Sequence, residues 1–233
     1  MRLASTLVVL AGLGTLAWAV LTWRWEDPFT GVYTRLEQRE LSRHYEQRAA
    51  EFQRAPGINQ IAFDPDRIPQ DARRYRRVSR VGAAIGRITI PRLGLSMILV
   101  NGTDEQTLKR GPGRYLGSSM PGEGQLVYVA GHRTTYSAPF SRIDALRPGD
   151  RVTLEMPYGV FEYRIAKSVI VGANDLAVLR SPGRELLALQ TCEPRFFATH
   201  RFIVYARPVG VARPERRTLR EATGPQLPVP GLS

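Results

Sequence analysis

The sequence predicts an all-β domain, folded as a sandwich or closed as a barrel, behind a helical N-terminal region. Seven apolar runs follow one another from about Val81: "AAIGRITIP", "SMILVNG", "QLVYVAGH", "DRVTLEM", "GVFEYRIAKSVIVG", "ELLALQTC" and "RFIVYARP". Turn residues separate them, among them Pro91, Gly94, "GPGRYLGSSMPGEG", "RPGD", "PYG" and "SPG". Short strands at this spacing fit a sandwich or barrel. "VFEYRI" and "RFIVYA" alternate apolar and polar residues, the period of a half-buried strand. The 21 glycines and 17 prolines among 233 residues favour turns over long helices.

The chain begins "MRLASTLVVLAGLGTLAWAVLTWRW", in which Leu3 to Trp23 are 21 residues without a charge. As a helix this run is roughly 30 Å long, the thickness of a bilayer core. Trp18, Trp23 and Trp25 gather at its far end, where an interfacial aromatic belt belongs. A cleaved signal peptide is the alternative, since Arg2 precedes the run. The run exceeds a usual signal core and no small-x-small site precedes Arg24, so residues 1–24 are expected to remain as an anchor. Arg24, Arg35, Arg39 and Arg43 follow it closely, and counted alone they would hold the long side in the cytoplasm.

Residues 25–80 read as a stalk or linker. Within it, 34–53 form a polar helix with Leu41, Tyr45, Ala49 and Phe52 on one stripe, either a stalk or a helix packed on the domain. His44 belongs to its solvent face. The following "RAPGINQIAFDPDRIPQDARRYRRVSR" reads as a linker with little regular structure. Residues 81–210 form the β-rich domain. The tail, 211–233, lacks periodicity and is expected to be disordered.

Net charge is +12, and apart from Lys109 and Lys167 the basic residues are arginines. Such a balance suits polyanionic surroundings such as anionic lipid or wall polymer. No RNP, zinc-finger or P-loop pattern accompanies it, so the charge reads as a solvated surface and no nucleic-acid partner is expected. A single cysteine rules out an internal disulfide and a thiolate-rich metal cluster. His44, His132 and His200 are spread without ligand spacing, so neither metal nor cofactor is expected.

Cys192, in "LALQTCEPRFFATHRFIVYA", is therefore the one candidate thiol nucleophile. Acyl transfer by a thiolate also needs a proton-handling histidine and a donor to the developing oxyanion. His132, in "VYVAGHRTTY", stands where an apolar strand ends in glycine, a place that presents a side chain at a barrel rim. Arg201 opens the next strand nine residues after Cys192, with donors and a charge fixed at any working pH. Each has a plain alternative: Cys192 as a small buried hydrophobe, His132 as a strand-end residue, Arg201 as one arginine among many. Alternation puts His200 and Arg201 on opposite strand faces, which leaves His200 a surface or packing residue.

The pair "AGHRTTYSAPFSRIDALRPGD" and "LALQTCEPRFFATHRFIVYA" resembles the sortases, membrane-anchored cysteine transpeptidases. The match lies in Leu189, Thr191 and Cys192 at a strand end, then Arg201 opening the next, and covers about residues 83 to 209. The short loop from Cys192 to Arg201, with "GPGRYLGSSMPGEG" before the histidine strand, is most similar to class E sortases of high-GC bacteria. Gln190 and Gln125 stand where that family usually carries other residues.

The resemblance implies an eight-stranded sortase barrel with short helices and no cofactor, with His132 and Cys192 on adjacent strand ends. It implies export too, N-terminus in and domain outside the cell membrane, against the arginine count. The substrate it implies is a secreted protein with a C-terminal LPXTG or LAXTG signal. Cys192 would hold the fragment ending in threonine as a thioester, His132 would serve as acid and base, and Arg201 would hold the oxyanion. A wall-precursor amine in lipid II, or a pilin amine, would then release the product. Tyr115 would help read the residue after the signal's leucine, unless it is merely a turn tyrosine packed on the barrel. Thr191 would line the site through its hydroxyl or its backbone. Two rival readings stand beside this one: a cysteine endopeptidase that hydrolyses, and a tethered β-domain that binds anionic wall polymer with Cys192 merely buried.

Overall fold

The computed structural model describes residues 2–24, 28–55 and 64–214. Helices α1 (Arg2–Arg24), α2 (Pro28–Arg54) and α3 (Ile68–Val78) lead into β1 (Ala84–Ile90) and β2 (Leu95–Asn101). Then come α4 (Glu105–Arg110), β3 (Gly113–Arg114), β4 (Leu126–Ala130), β5 (Arg151–Met156), β6 (Gly159–Gly172), β7 (Leu186–Glu193) and β8 (His200–Ala212). The eight strands close a barrel in the order β1-β2-β3-β4-β7-β8-β6-β5, and β5 pairs back onto β1. All seven apolar runs of the sequence are strands. The eighth, β3, is two residues inside a stretch that reads as turn.

Barrel closure separates two faces. Alternate residues of β6, Phe161, Tyr163 and Ile165, are buried inside with Val127 and Val129 of β4, Leu187 and Leu189 of β7, and Val204 and Ala206 of β8. The intervening residues Leu126, Tyr128, Ala188 and Ile203 form a second cluster on the other face of β4, β7 and β8. Val178 and Leu179, from the one-turn helix between β6 and β7, pack on it. Coverage of both faces explains why β7 carries an unbroken apolar run rather than an alternation.

The leading helices differ from expectation in one respect. α2 lies on the barrel through the stripe read in the sequence: Leu41 and Tyr45 pack on Ala84, Ile98 and Val100, with Ala49 beside them. Gln38 works as a strand mimic, accepting from Ile98 N at 2.6 Å and donating to Arg110 O at 2.7 Å. The expectation of little regular structure before residue 80 is corrected by α3, which buries Ile68, Ala72 and Tyr75. That stripe of i, i+4 and i+7 is masked in the sequence by the arginines between its members. Pro69 costs nothing in the first turn, where its missing N–H has no partner anyway.

At the other end β8 runs to Ala212, two residues past the boundary read in the sequence. Residues 215–233, most of the tail expected to be disordered, lie outside the described residues. Among the described residues no helix is long and apolar enough to cross a membrane.

Candidate active site

β7 and β8 pair antiparallel without a register break, and Cys192 stands directly opposite Arg201. Directly opposed residues share a sheet face. Parity fixes which one: Cys192 continues Ala188 and Gln190, and Arg201 leads into Ile203, so both lie on the outer face rather than in the main core. Both are half-buried, so Cys192 is not the enclosed hydrophobe of the plain alternative.

β4 and β7 pair parallel, Leu126 with Leu186 through Ala130 with Gln190. The pairing continues past the end of β4, because Gly131 N donates to Gln190 O at 3.0 Å. Thr191 Oγ1 then donates to Gly131 O at 2.8 Å, and Arg133 Nη1 to Cys192 O at 3.1 Å. His132 is thereby held abreast of Cys192 at the neighbouring strand end. Gly131 is required by close approach: a Cβ there would lie 2.7 Å from the Phe140 ring.

The His132 ring is half-buried, 5.3 Å from the ring of Tyr136, and its Nε2 has no hydrogen-bond partner among the described residues. Burial holds its pKa below the usual imidazole range, Glu105 on α4 opposes that, and Lys109 adds to it. At neutral pH the neutral ring is accordingly the favoured form.

Arg201 uses Nη1 on Ala198 O at 2.8 Å and His200 O at 2.9 Å, which bends the guanidinium back over its own loop. His200 is exposed, pairs with Glu193 and contacts Thr199 Oγ1 through Nδ1 at 2.9 Å. Its parity is that of Phe202 and Val204, opposite to Arg201.

Tyr115 follows β3 and packs with its ring centroid 6.3 Å from Tyr128, whose hydroxyl donates to Gln190 Oε1 at 2.5 Å. It therefore belongs to the same outer face as Cys192. For Thr191 the hydroxyl is committed elsewhere: the residue is 1% exposed, faces inward, and donates through Oγ1 to Gly131 O, which leaves its backbone as the part beside Cys192. Its neighbour in sequence faces the site, so strand alternation turns Thr191 away. Tyr128, Gln190 and Arg133 were not read as site residues. The signal for Tyr128 and Gln190 was their even spacing from His132 and Cys192. Among the described residues no three His, Cys, Asp or Glu side chains stand together as a metal set.

The segment from Arg114 to Gly124 is clamped on this side of the barrel. Arg114 is 2% exposed and fans onto Asn101 Oδ1 and the carbonyls of Tyr115 and Ser118. Burial presses its guanidinium down to about 10, with Arg76 adding to that and Glu123 opposing.

A closed barrel that sets a cysteine opposite an arginine, with a histidine on the adjoining strand end, defines a class of cysteine-site β-barrels. Residues 88–209 match the model of the Sortase domain family, and the chain belongs to that family. Over 132 residues it is 35% identical to Sortase D of Bacillus subtilis, taking in 55% of this chain and 65% of that protein. Over 145 residues it is 30% identical to Sortase SrtE1 of Streptomyces coelicolor, taking in 55% of this chain and 41% of that protein. The matches thus span less than two thirds of either relative. The fold is similar to the crystal structure of Sortase E1 from Streptomyces coelicolor with a tripeptide in the active site. That match has a TM-score of 0.54 at 25% identity and covers 64% of this chain and 98% of that one.

Proposed function

We propose that the chain is a cysteine transpeptidase that cleaves a C-terminal sorting signal of the LPXTG or LAXTG kind and joins the protein to a cell-wall amine. The observation that carries this reading is the in-register pair Cys192 and Arg201 with His132 abreast, all at one end of the outer face. Cys192 Sγ, as thiolate, attacks the carbonyl carbon of the signal's threonine. The electron pair moves to the oxygen, and N–H groups of Arg201 beyond those committed to its own loop stabilise that oxyanion. As the tetrahedral intermediate collapses, protonated His132 gives its proton to the leaving amine and a thioester remains. An incoming amine, in lipid II or on a pilin, attacks the thioester, His132 takes its proton, and Cys192 leaves as thiolate.

The depressed pKa of His132 makes its protonated form, the acid of this step, a minority form at neutral pH. Its compensation is a stronger acid at the leaving amine. Tyr115 packs on Tyr128, whose hydroxyl donates to Gln190, and from that position would read the residue after the signal's leucine. The uncharged run of residues 3–23 and the membership of the sortase family support a tethered chain whose domain works outside the membrane. The half-exposed Cys192 disfavours the non-enzymatic reading.

The test uses the full chain in detergent with LPXTG and LAXTG peptides and an amine acceptor. Cys192→Ala should abolish cleavage and thioester alike, because the sequence holds no second thiol. His132→Ala should lose about a hundredfold or more. Arg201→Lys, which keeps charge without the fork, should lose roughly a hundredfold. His200→Ala should stay within about threefold, since it faces away. Amide product from the amine marks a transferase, whereas acid product alone marks the endopeptidase. Activity surviving in Cys192→Ala would end this reading.

A further inference from the structure

Arg133 stands between His132 and the end of β7 and has no part in the scheme above. It has the inward parity of Val127 and Val129, is 7% exposed, and lies 5.8 Å from the centroid of the Phe202 ring. From there it reaches three groups on two other segments. Nη1 donates to Cys192 O at 3.1 Å and also contacts the Glu193 carboxylate. Nη2 meets Asp144 Oδ1 at 3.4 Å, on the one-turn helix Ile143–Ala145 beyond the histidine loop.

We propose that Arg133 is a positioning residue for the transfer reaction, fixing the peptide of Cys192 against the backbone of His132 by spanning the two strand ends. The inference rests on the assignment of Cys192 and His132 given above. Its physical basis is the lever between a peptide plane and the side chain it carries. Strand hydrogen bonding ties β4 to β7 as far as Gln190, and Thr191 extends the tie by one residue. At Cys192 the pairing with β8 holds one edge of the strand through Glu193 and His200, and on the β4 edge the guanidinium is what holds the carbonyl and, with it, the direction of Sγ. A displacement near 1 Å costs such a reaction about a hundredfold. Only a planar fork engages the carbonyl and two carboxylates from one buried point; an ammonium has the charge without the geometry. Glu193 and Asp144 neutralise the guanidinium, which keeps a buried cation tolerable at the rim.

The test separates position from folding. Full-length Arg133→Lys and Arg133→Gln are assayed for thioester formation, with kcat and KM determined separately, and for cooperative thermal unfolding. The expected result is a kcat lower by about tenfold in Arg133→Lys and about a hundredfold in Arg133→Gln, with KM within about twofold. A purely structural role would lower the melting temperature while leaving kcat per folded molecule intact, and that result overturns the proposal. Should both variants fail to fold, Glu193→Gln decides: a several-fold lower kcat at unchanged KM supports the proposal, and parental kcat overturns it. Cys192→Ala runs alongside. If it is inactive while Arg133→Lys runs at full speed, only the role of Arg133 falls; if it is active, the assignment of the site falls first.

Discussion

Two connections flank the candidate site, and they are built on opposite principles. The one between β3 and β4 is held by hydrogen-bonded charged groups at three points. Arg114 fixes its start through Asn101, Tyr115 and Ser118. Glu123 accepts from Met120 N at 3.1 Å and pairs with Arg76 at 3.0 Å. Glu185, arriving from just before β7, accepts from Gly122 N at 2.9 Å, Gly124 N at 3.1 Å and the Tyr163 hydroxyl at 2.7 Å. The connection between β7 and β8 shows its apolar side chains to solvent: Phe196 is 63% exposed and Phe197 77%. It is tied to the rest of the barrel by Arg195 on Ser141 O, and it curls on itself through Arg201 and the carbonyl of Pro194. Phe196 and Ala198 sit at positive φ of 71° and 55°, which side-chain-bearing residues adopt only at a cost. One wall is fixed by satisfied charge, and the other keeps large apolar surface uncommitted.

The comparison can be broken at three places. Arg114→Met leaves Asn101 Oδ1 and the Ser118 carbonyl buried without a donor, and should cost about 3 kcal/mol in urea unfolding. A loss below about 1 kcal/mol would mean that neighbouring groups or water take over. Glu185→Gln keeps one acceptor oxygen but loses the charge that serves three donors, and should cost about 1–2 kcal/mol by the same measurement. Phe197→Ser should leave stability within about 0.5 kcal/mol, as surface substitutions do. A fall as large as that of Glu185→Gln would show Phe197 to be packed and would erase the difference between the two walls.

Legibility followed the range of the interaction. β6 was plain in the sequence because "VFEYRI" alternates and the barrel buries every second residue of it. The α2 stripe of Leu41, Tyr45, Ala49 and Phe52 was plain for the same local reason, though only packing decides that it is no free stalk. α3 was hidden because its stripe runs between arginines. β3 was hidden because two residues make no period. At the site, alternation correctly separated Arg201 from His200 yet was not carried through to Thr191, one residue before Cys192. Nothing in "GHRTT" announces which strand it will meet: the pairing of β4 with β7 is parallel and remote, and residue types alone do not encode it. Arg133 went unread for that reason, since its partners at Cys192, Glu193 and Asp144 are defined only once that pairing exists.

That parallel pairing has a consequence for the life of the chain. Gly131 and Thr191 are 60 positions apart, and β5 and β6 must be made and paired elsewhere before β7 can dock beside β4. Contacts of such separation close late, because the entropy of the intervening loop is lost before they form. No chain in which β7 has yet to dock beside β4 can hold His132 beside Cys192. The candidate pair of Cys192 and His132 is thus brought together only by completion of the barrel.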